Sequence, residues 1–339
     1  MSRANSHSHA LISTASPAHS RVAYASRPRA RALFVGEGDF SFSLAYAKAL
    51  GARAQGVTST SYDDSRHECI EANARELVNT GATVMRGVDA TSASALEETR
   101  DASDAEEGFD RVVFMFPHID GKGRISRNRE LLREYLRASQ SVLAVNGIVE
   151  VALAKGQGGT KAKANAAYGN TWKAYECGAE EGMLLVDVAP FDDEAWRDAG
   201  YVSRGHWRGG DALERGFRTE EGEVHAFCRE GERPEGVFCD NARAYARDCS
   251  IWCASKDDDS ERVVKEAFGD ALRGADVNIA TTKIDEYLEP TRGALSRTYR
   301  VEFTSRTLAL TGSRVNAFND AARLALGDRL RGGLATTSA

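Results

Sequence analysis

The segment with the most chemical content is a strand-to-helix turn that contains two glycines. The apolar run 32–35 ends at Gly36 and Gly38, and a helical pattern resumes at Phe40. Glycine lets the backbone approach a bound ligand closely, and the start of a helix offers free N–H groups. The turn therefore predicts a nucleotide-type binding loop. A dinucleotide fingerprint would carry a third glycine where Ser41 stands, which disfavours a nicotinamide cofactor.

Two aspartates follow the next two predicted strands. Asp63 comes after the segment 54–62, and Asp89 comes after the segment 83–88. The first carboxylate can accept hydrogen bonds from both hydroxyls of a ribose, and the second can accept one from an adenine amino group. S-adenosylmethionine has both features and a sulfonium cation, which favours acidic surroundings. We therefore expect S-adenosylmethionine as the cofactor, with NAD as the alternative.

The elements that must position these residues alternate between strands and helices. Strand-like apolar segments occur at 32–35, 54–62, 83–88, 110–116, 147–154 and 183–188, and helical periodicity occurs at 65–79 and 128–143. This alternation predicts an α/β fold with a parallel sheet. We expect a Rossmann-like, doubly wound domain over residues 31–230, with its ligand beyond the carboxyl ends of the strands.

A second, smaller domain is expected after a linker at 231–239. Strand patterns occur at 248–254, 277–288 and 296–305, and helical patterns occur at 260–273 and 313–327. The order strand, helix, strand, strand, helix is that of a ferredoxin-like α+β fold. The domain is expected to span residues 240–331, with a short tail at 332–339.

Charge is distributed unevenly along the chain. The formal net charge is −6, yet residues 1–31 hold five arginines and no acid, and residues 32–239 carry about −11. The segment 1–30 is predicted to be a disordered basic leader, either a flexible tail or an organelle transit peptide. The expected location is the cytoplasm or nucleolus, with a mitochondrion or plastid as the alternative.

Membrane and metal chemistry are not expected from this composition. No apolar run approaches the roughly 18 residues that a membrane-spanning helix needs. The six cysteines form no C-x-x-C pair, and we interpret them as buried thiols in a reducing compartment rather than as zinc ligands. The sequence does not predict an oligomeric state.

The amino-acid sequence of the glycine turn, Val-Gly-Glu-Gly-Asp-Phe-Ser-Phe-Ser, resembles the N-terminal motif of the uridine-N3 methyltransferases of large-subunit rRNA. Further matches at 128–132, 155–156, 168–172 and 200–205 extend the resemblance over about residues 31–230. The resemblance implies a Rossmann-like methyltransferase domain that binds S-adenosylmethionine and acts on rRNA. The implied cofactor-binding residues are Gly36, Glu37, Gly38, Phe40, Asp63 and Asp89.

The fourth predicted strand ends in Met115-Phe116-Pro117-His118, where the family reads Asn-Phe-Pro-His. The resemblance implies that Pro117 and His118 are the catalytic residues that face the acceptor base. His118 could take the proton from a uracil ring nitrogen, because the pKa of histidine lies near working pH; a loop histidine that only packs is the alternative. Met115 cannot hold a base edge as an amide can. This departure supports the rival hypothesis of a non-catalytic RNA-binding protein.

RNA contacts are expected from two basic regions. Lys122, Arg124 and Arg127 belong to a run that could contact phosphates, with a solvated loop as the alternative. Residues 240–331 resemble the ferredoxin-fold anticodon-binding domain through 248–252, 283–287 and 296–300, which implies contact with tRNA. The residues expected to touch RNA there are Arg297, Arg300 and Arg306. Ribosomal RNA is the favoured partner, and tRNA is the alternative.

Overall fold

The computed structural model describes residues 31–64, 66–119, 125–160, 162, 165–204, 218–233, 235–253 and 259–330. The basic leader, the tail, Lys122 and Arg124 lie outside the described residues. The chain folds into two compact units, which divide between Asn241 and Ala242.

The first unit contains seven strands and, in its described part, seven α-helices. The strands are β1 (Ala32–Val35), β2 (Val57–Ser61), β3 (Thr83–Arg86), β4 (Phe109–Met115), β5 (Leu143–Leu153), β6 (Met183–Pro190) and β7 (Glu223–Arg229). The helices are α1 (Ser41–Leu50), α2 (Glu68–Asn79), α3 (Ala93–Ala102), α4 (Ile125–Ser139), α5 (Asn165–Gly169), α6 (Ala174–Glu180) and α7 (Asp193–Asp198).

The seven strands form one sheet in the order β3-β2-β1-β4-β5-β7-β6. Strands β1 to β5 pair in parallel, and β7 lies antiparallel between β5 and β6. The predicted α/β class is confirmed. Helix α3 and strand β7 were not predicted from the sequence, and the predicted start of β2 is too early, because Gly51–Gly56 forms a 3-10 helix.

The position of β1 at the centre of the sheet explains why its sequence is wholly apolar. All four of its residues are buried, with neighbours on both sides and helices on the faces. An aromatic group packs on this layer: Phe34 meets Tyr46 at 4.8 Å between ring centroids, and Phe42 meets Trp196 at 4.6 Å. Each such ring stabilises the fold by about 1.5–3 kcal/mol through burial alone. The loop after β1 therefore stands on a rigid base.

In the residues that the structure describes, the second unit contains three antiparallel strands and two helices. They are β8 (Tyr245–Cys253), α8 (Ser260–Ala271), β9 (Asn278–Leu288), β10 (Leu295–Thr304) and α9 (Gly312–Leu330). The sheet order is β8-β10-β9, so the third strand lies in the middle. One sheet face packs on the two helices through a core that includes Ile251, Phe268 and Val301. This is the β-α-β-β-α arrangement that the sequence predicts.

The part of the chain that the structure describes shows neither a membrane span nor a metal cluster. In those ranges no helix is both long enough and apolar enough to cross a membrane. Across the same residues, no three His, Cys, Asp or Glu side chains converge as metal ligands would.

Candidate cofactor site

The glycine turn after β1 has a conformation that only glycine fits. Gly36 has a φ of +65°, and a Cβ placed on it would lie 2.3 Å from the Phe114 ring on β4. The Glu37 N–H donates to the Thr60 carbonyl at 2.9 Å, which ties the turn to β2. No other residue would therefore fit at this position without displacing the Phe114 ring.

Two buried carboxyl groups cap the start of α1. The Ser41 N–H donates to Asp39 Oδ1 at 3.0 Å, and the Ser43 N–H and hydroxyl both donate to Glu37 Oε2 at 3.2 Å. Burial raises the pKa of Glu37 to about 7, and it also raises the pKa of Asp39. The free N–H groups of this helix start are thus partly satisfied by the chain itself.

A cleft of about 550 Å³ opens at the carboxyl ends of the central strands. It receives Gly36 from the turn after β1, Asp63 from the loop after β2, Asp89 from the loop after β3 and His118 from the loop after β4. Other residues that line it are Tyr62, Val88, Ala90, Thr91, Phe114, Ile119, Arg127, Glu130, Leu131 and Glu134. The structure therefore brings three predicted cofactor residues, one predicted catalytic residue and one predicted RNA-binding residue to one cavity, at the edge where an α/β sheet binds its ligand.

The two aspartates differ in what already holds them. Asp89 Oδ1 accepts from the Thr91 N–H at 2.9 Å and from the Thr91 hydroxyl at 2.7 Å, so this carboxylate is fixed in the cleft wall. Asp63 lies half-buried beside Tyr62, whose side chain is 60 % exposed and also lines the cleft. Tyr62 was not predicted from the sequence. Its signal was an aromatic residue directly before a strand-end carboxylate.

Three predicted cofactor residues do not line the cleft. Phe40 is fully buried, with the Arg86 guanidinium 5.7 Å from its ring centroid. Its φ of +61° turns the side chain into the core, and sequence periodicity carries no sign of that turn. Glu37 and Gly38 instead line a smaller recess.

The recess has a volume of about 40 Å³ and adjoins the cleft, with which it shares Gly36, Phe114 and His118. The rest of its wall comes from 37–39 after β1, from 115–117 at the end of β4, and from Tyr201, Val202 and Arg204 after α7. Phe116 has a φ of +48°, an uncommon conformation for a bulky residue. Strain of this kind concentrates at functional sites.

The predicted catalytic residues lie where the cleft and the recess meet. His118 is exposed and lines both cavities, while Pro117 is buried and lines only the recess. Met115 lines the recess as well.

Two of the arginines expected to bind RNA, Arg297 and Arg300, are engaged by other side chains of the chain itself. Arg127 is exposed and lines the cleft. Arg297 donates to Glu286 at 2.9 Å and to Ser260 at 3.1 Å, and Arg300 forms two hydrogen bonds with Asp248, at 2.9 and 3.0 Å. Arg306 is exposed. The stripe of positive charge predicted on the second unit is therefore partly neutralised by facing acids.

Neighbouring arginines of α4 are also engaged. Arg129 donates to the carbonyls of Thr171 and Gly169, and Arg133 pairs with Glu180 at 3.3 Å. In the sequence these residues belong to the same basic run as Arg127. Arg129 thus holds α4 against the segment before α6, and Arg133 holds it against α6 itself.

Comparison with known proteins gives the first unit a family. The family model described as "rRNA (uridine-N3-)-methyltransferase BTM5-like" matches residues 33–205, about half of the chain. The "Ferredoxin-fold anticodon-binding domain-containing protein 1" of Homo sapiens is 35 % identical over 213 residues, which cover 60 % of this chain and 32 % of that protein. Its Mus musculus homologue is 36 % identical over 184 residues, which cover 51 % and 28 %.

The chain thus spans about a third of the length of these curated relatives. Among solved structures it is similar to TrmN from Thermus thermophilus, with a TM-score of 0.37 and 16 % identity, over 66 % of this chain and 48 % of that one. The resemblance stated from the glycine turn is confirmed by the match over residues 33–205. The chain belongs to the BMT5-like family.

Proposed function

We propose that this chain is an S-adenosylmethionine-dependent RNA methyltransferase that modifies N3 of a uridine in rRNA. The observation that carries the proposal is the cleft, which gathers Gly36, Asp63, Asp89 and His118 at the carboxyl edge of the sheet. Family membership supports the reaction class and the rRNA substrate.

The residues in the cleft fit S-adenosylmethionine. Gly36 lines the cleft without a side chain, and a Cβ at this position would strike the Phe114 ring. Asp63 would hold the ribose hydroxyls, and Asp89, oriented by Thr91, would accept from the adenine amino group. When bound, the cofactor supplies an electrophilic methyl group. The chain's contribution is orientation, which accounts for much of the rate of such a transfer.

His118 is the proposed proton acceptor on the base side. It stands at the junction of cleft and recess, where the imidazole could take the proton from a uracil N3 as that nitrogen receives the methyl group. Pro117 directly precedes His118, and its ring would restrict the orientation of the bound base. The second unit would hold structured RNA, through cations other than Arg297 and Arg300.

Methyl transfer to rRNA tests this proposal. The purified chain is incubated with labelled S-adenosylmethionine and ribosomal RNA, and the digested nucleosides are identified by mass spectrometry. The expected product is 3-methyluridine, and it should be absent when His118 is replaced by Ala. Absence of any methylated nucleoside from both rRNA and tRNA would overturn the proposal.

One observation favours a second candidate, a non-catalytic RNA-binding protein. Met115 lines the recess at the position where the resembling family carries an asparagine, and a thioether cannot hold a base edge. This candidate predicts cofactor binding without turnover, and some turnover in a Met115→Asn variant. A third outcome, methylation confined to tRNA, would make tRNA the substrate.

A further inference from the structure

Phe116 has an unusual backbone conformation directly before the predicted catalytic residues. Its φ is +48°, and Pro117 follows it, although a residue before proline prefers extended backbone. A bulky residue keeps such a conformation only where the surrounding structure fixes it. The turn into Pro117 and His118 therefore depends on what holds Phe116.

The backbone and the ring of Phe116 are both held by segments outside β4. Its N–H donates to the Ala152 carbonyl of β5 at 2.9 Å, and its ring meets the Phe191 ring edge-on, at 5.1 Å between centroids. Phe116 is buried, whereas His118, two residues later, is exposed and lines the cleft. The chain thus turns from the core to the cleft within three residues.

Gly222 leaves the space that the Phe116 ring fills. It directly precedes β7, which is separated from β4 by β5 in the sheet. A Cβ placed on Gly222 would lie 3.0 Å from both Cε1 and Cζ of Phe116, closer than the roughly 3.5–4.0 Å at which carbon atoms pack. The φ of Gly222 lies outside the left-handed region, so the reason for a glycine here is space and not backbone freedom.

Gly222 is itself fixed by hydrogen bonds. Its N–H donates to the Thr219 carbonyl at 3.0 Å, and its carbonyl accepts from the Phe191 N–H at 2.8 Å. Phe191, directly after β6, therefore contacts both partners, since its backbone holds Gly222 and its ring packs on Phe116. These contacts tie the end of β4 to the start of β7.

We propose that Gly222 is a positioning residue for the methyl transfer, because it gives the Phe116 ring the room that keeps His118 at the junction of cleft and recess. The inference rests on the proposed function, in which His118 accepts a proton from the base. A side chain at position 222 would push the ring, and the strained turn would carry that displacement to the imidazole. A displacement of about 1 Å can lower the rate of a reaction that depends on positioning about a hundredfold.

Gly222→Ala tests the inference, with Gly231→Ala as the matched control. Gly231 lies two residues past the other end of β7, with open space around it and a φ outside the left-handed region. The readout is the His118 imidazole signal in a proton–carbon correlation spectrum of the full chain, identified by its absence in His118→Gln. The signal should shift in Gly222→Ala and stay in place in Gly231→Ala. An unmoved signal in Gly222→Ala would overturn the inference, whether or not the chain is active.

Kinetics of methyl transfer to rRNA separate positioning from general damage. In Gly222→Ala, kcat should fall at least about tenfold, while KM for the RNA and the dissociation constant of S-adenosylmethionine stay within twofold. A loss of cofactor affinity as large as the loss of kcat would contradict a positioning role. If the unaltered chain transfers no methyl group, the proposed function fails, and the spectrum still reports whether Gly222 positions His118.

A double-mutant cycle shows whether Gly222 acts through Phe116. In a Phe116→Leu chain the smaller side chain leaves room for a methyl group, so adding Gly222→Ala should lower kcat less than twofold further. The Cβ at position 222 would also lie 2.9 Å from the Thr219 carbonyl oxygen, and a loss through that contact would persist in the Phe116→Leu chain. Additive losses would therefore overturn the inference.

One measurement on the unaltered chain covers the case in which Gly222→Ala fails to fold. The Hα protons of Gly222 should show nuclear Overhauser contacts with the ring protons of Phe116, because the structure leaves no room for a side chain between them. Absence of these contacts would refute the role of Gly222.

Discussion

Gly36 and Phe114 face each other so closely that no side chain fits between them. A Cβ on Gly36 would lie 2.3 Å from Cε2 of the Phe114 ring, and Phe114 also lines the cleft. Gly36 directly follows β1, and Phe114 lies on the adjacent strand β4, where it pairs in register with Val35. The contact therefore fixes the shape of the cleft at Gly36, where any side chain would displace the Phe114 ring.

Replacing Gly36 should therefore damage the cleft more than an equivalent change elsewhere. In Gly36→Ala the new Cβ would displace the Phe114 ring, and we expect a loss of stability of about 1–3 kcal/mol together with cofactor binding too weak to measure. Gly87→Ala is the matched control, because Gly87 has a similar φ of +69° but open space around it. Thermal unfolding and calorimetry of both variants check this. Equal effects at the two positions would contradict it.

Asp63→Asn should weaken cofactor binding about tenfold, which corresponds to the loss of one charge-assisted hydrogen bond. Asp63 lines the cleft, whereas the next residue, Asp64, does not. Calorimetry with S-adenosylmethionine on Asp63→Asn and Asp64→Asn compares the two sites. An unchanged dissociation constant for Asp63→Asn would contradict the assignment of Asp63 to the ribose hydroxyls of the cofactor.

Tyr62 offers an aromatic face beside Asp63. Stacking of a nucleobase on such a ring stabilises binding by about 1–3 kcal/mol. We expect Tyr62→Ala to weaken S-adenosylmethionine roughly tenfold and Tyr62→Phe to leave it nearly unchanged. Because the ring is 60 % exposed, the unfolding temperature should hardly move in either variant. A large loss with the Phe variant would show that the hydroxyl, not the ring, is the contact.

Glu37 should make the fold less stable as pH rises. Its pKa is about 7 in the folded chain, above the usual 4.5, so the folded state keeps a proton that the unfolded chain gives up. Its contribution to stability is present at low pH and is lost as pH rises from about 4.5 to 7. Glu37→Gln keeps an acceptor for Ser43 and cannot ionise.

The unfolding temperature of Glu37→Gln should therefore fall less between about pH 5 and pH 8 than that of the unaltered chain. Differential scanning calorimetry across this range measures it. Glu98→Gln, a change at an exposed helix position, is the control and should follow the unaltered chain. If the unfolding temperatures of all three proteins changed with pH in parallel, the buried Glu37 carboxyl would not be the source of this pH dependence.

The turn, Asp63 and Asp89 could be predicted because their signals are local. Each is a polar or glycine residue directly after an apolar strand, and parallel strands bring such ends together. The α/β class followed from the same alternation. By contrast, β7 is nearly all buried although it contains Glu223, His225 and Arg229. Its composition gave no strand signal, and the β6–β7 and β5–β7 pairings depend on distant partners.

The recess could not be predicted because it depends on tertiary contacts. Asp39 and Arg204 meet only after α7 docks on α1, and the positive φ angles of Phe40 and Phe116 leave no mark in periodicity. The expected RNA surface shows the same limit. Arg297 and Arg300 form a basic stripe in sequence, yet their strand neighbours place Glu286 and Asp248 directly opposite them.

The sharpest single test of a cofactor site in the first unit is binding of S-adenosylmethionine to the purified chain and to a Gly36→Val/Gly38→Val variant. We expect saturable binding with one site per chain, lost in the variant because the valine at position 36 would displace the Phe114 ring. No binding by the unaltered chain, or equal binding by both proteins, would contradict a methyltransferase site at the carboxyl edge of this sheet.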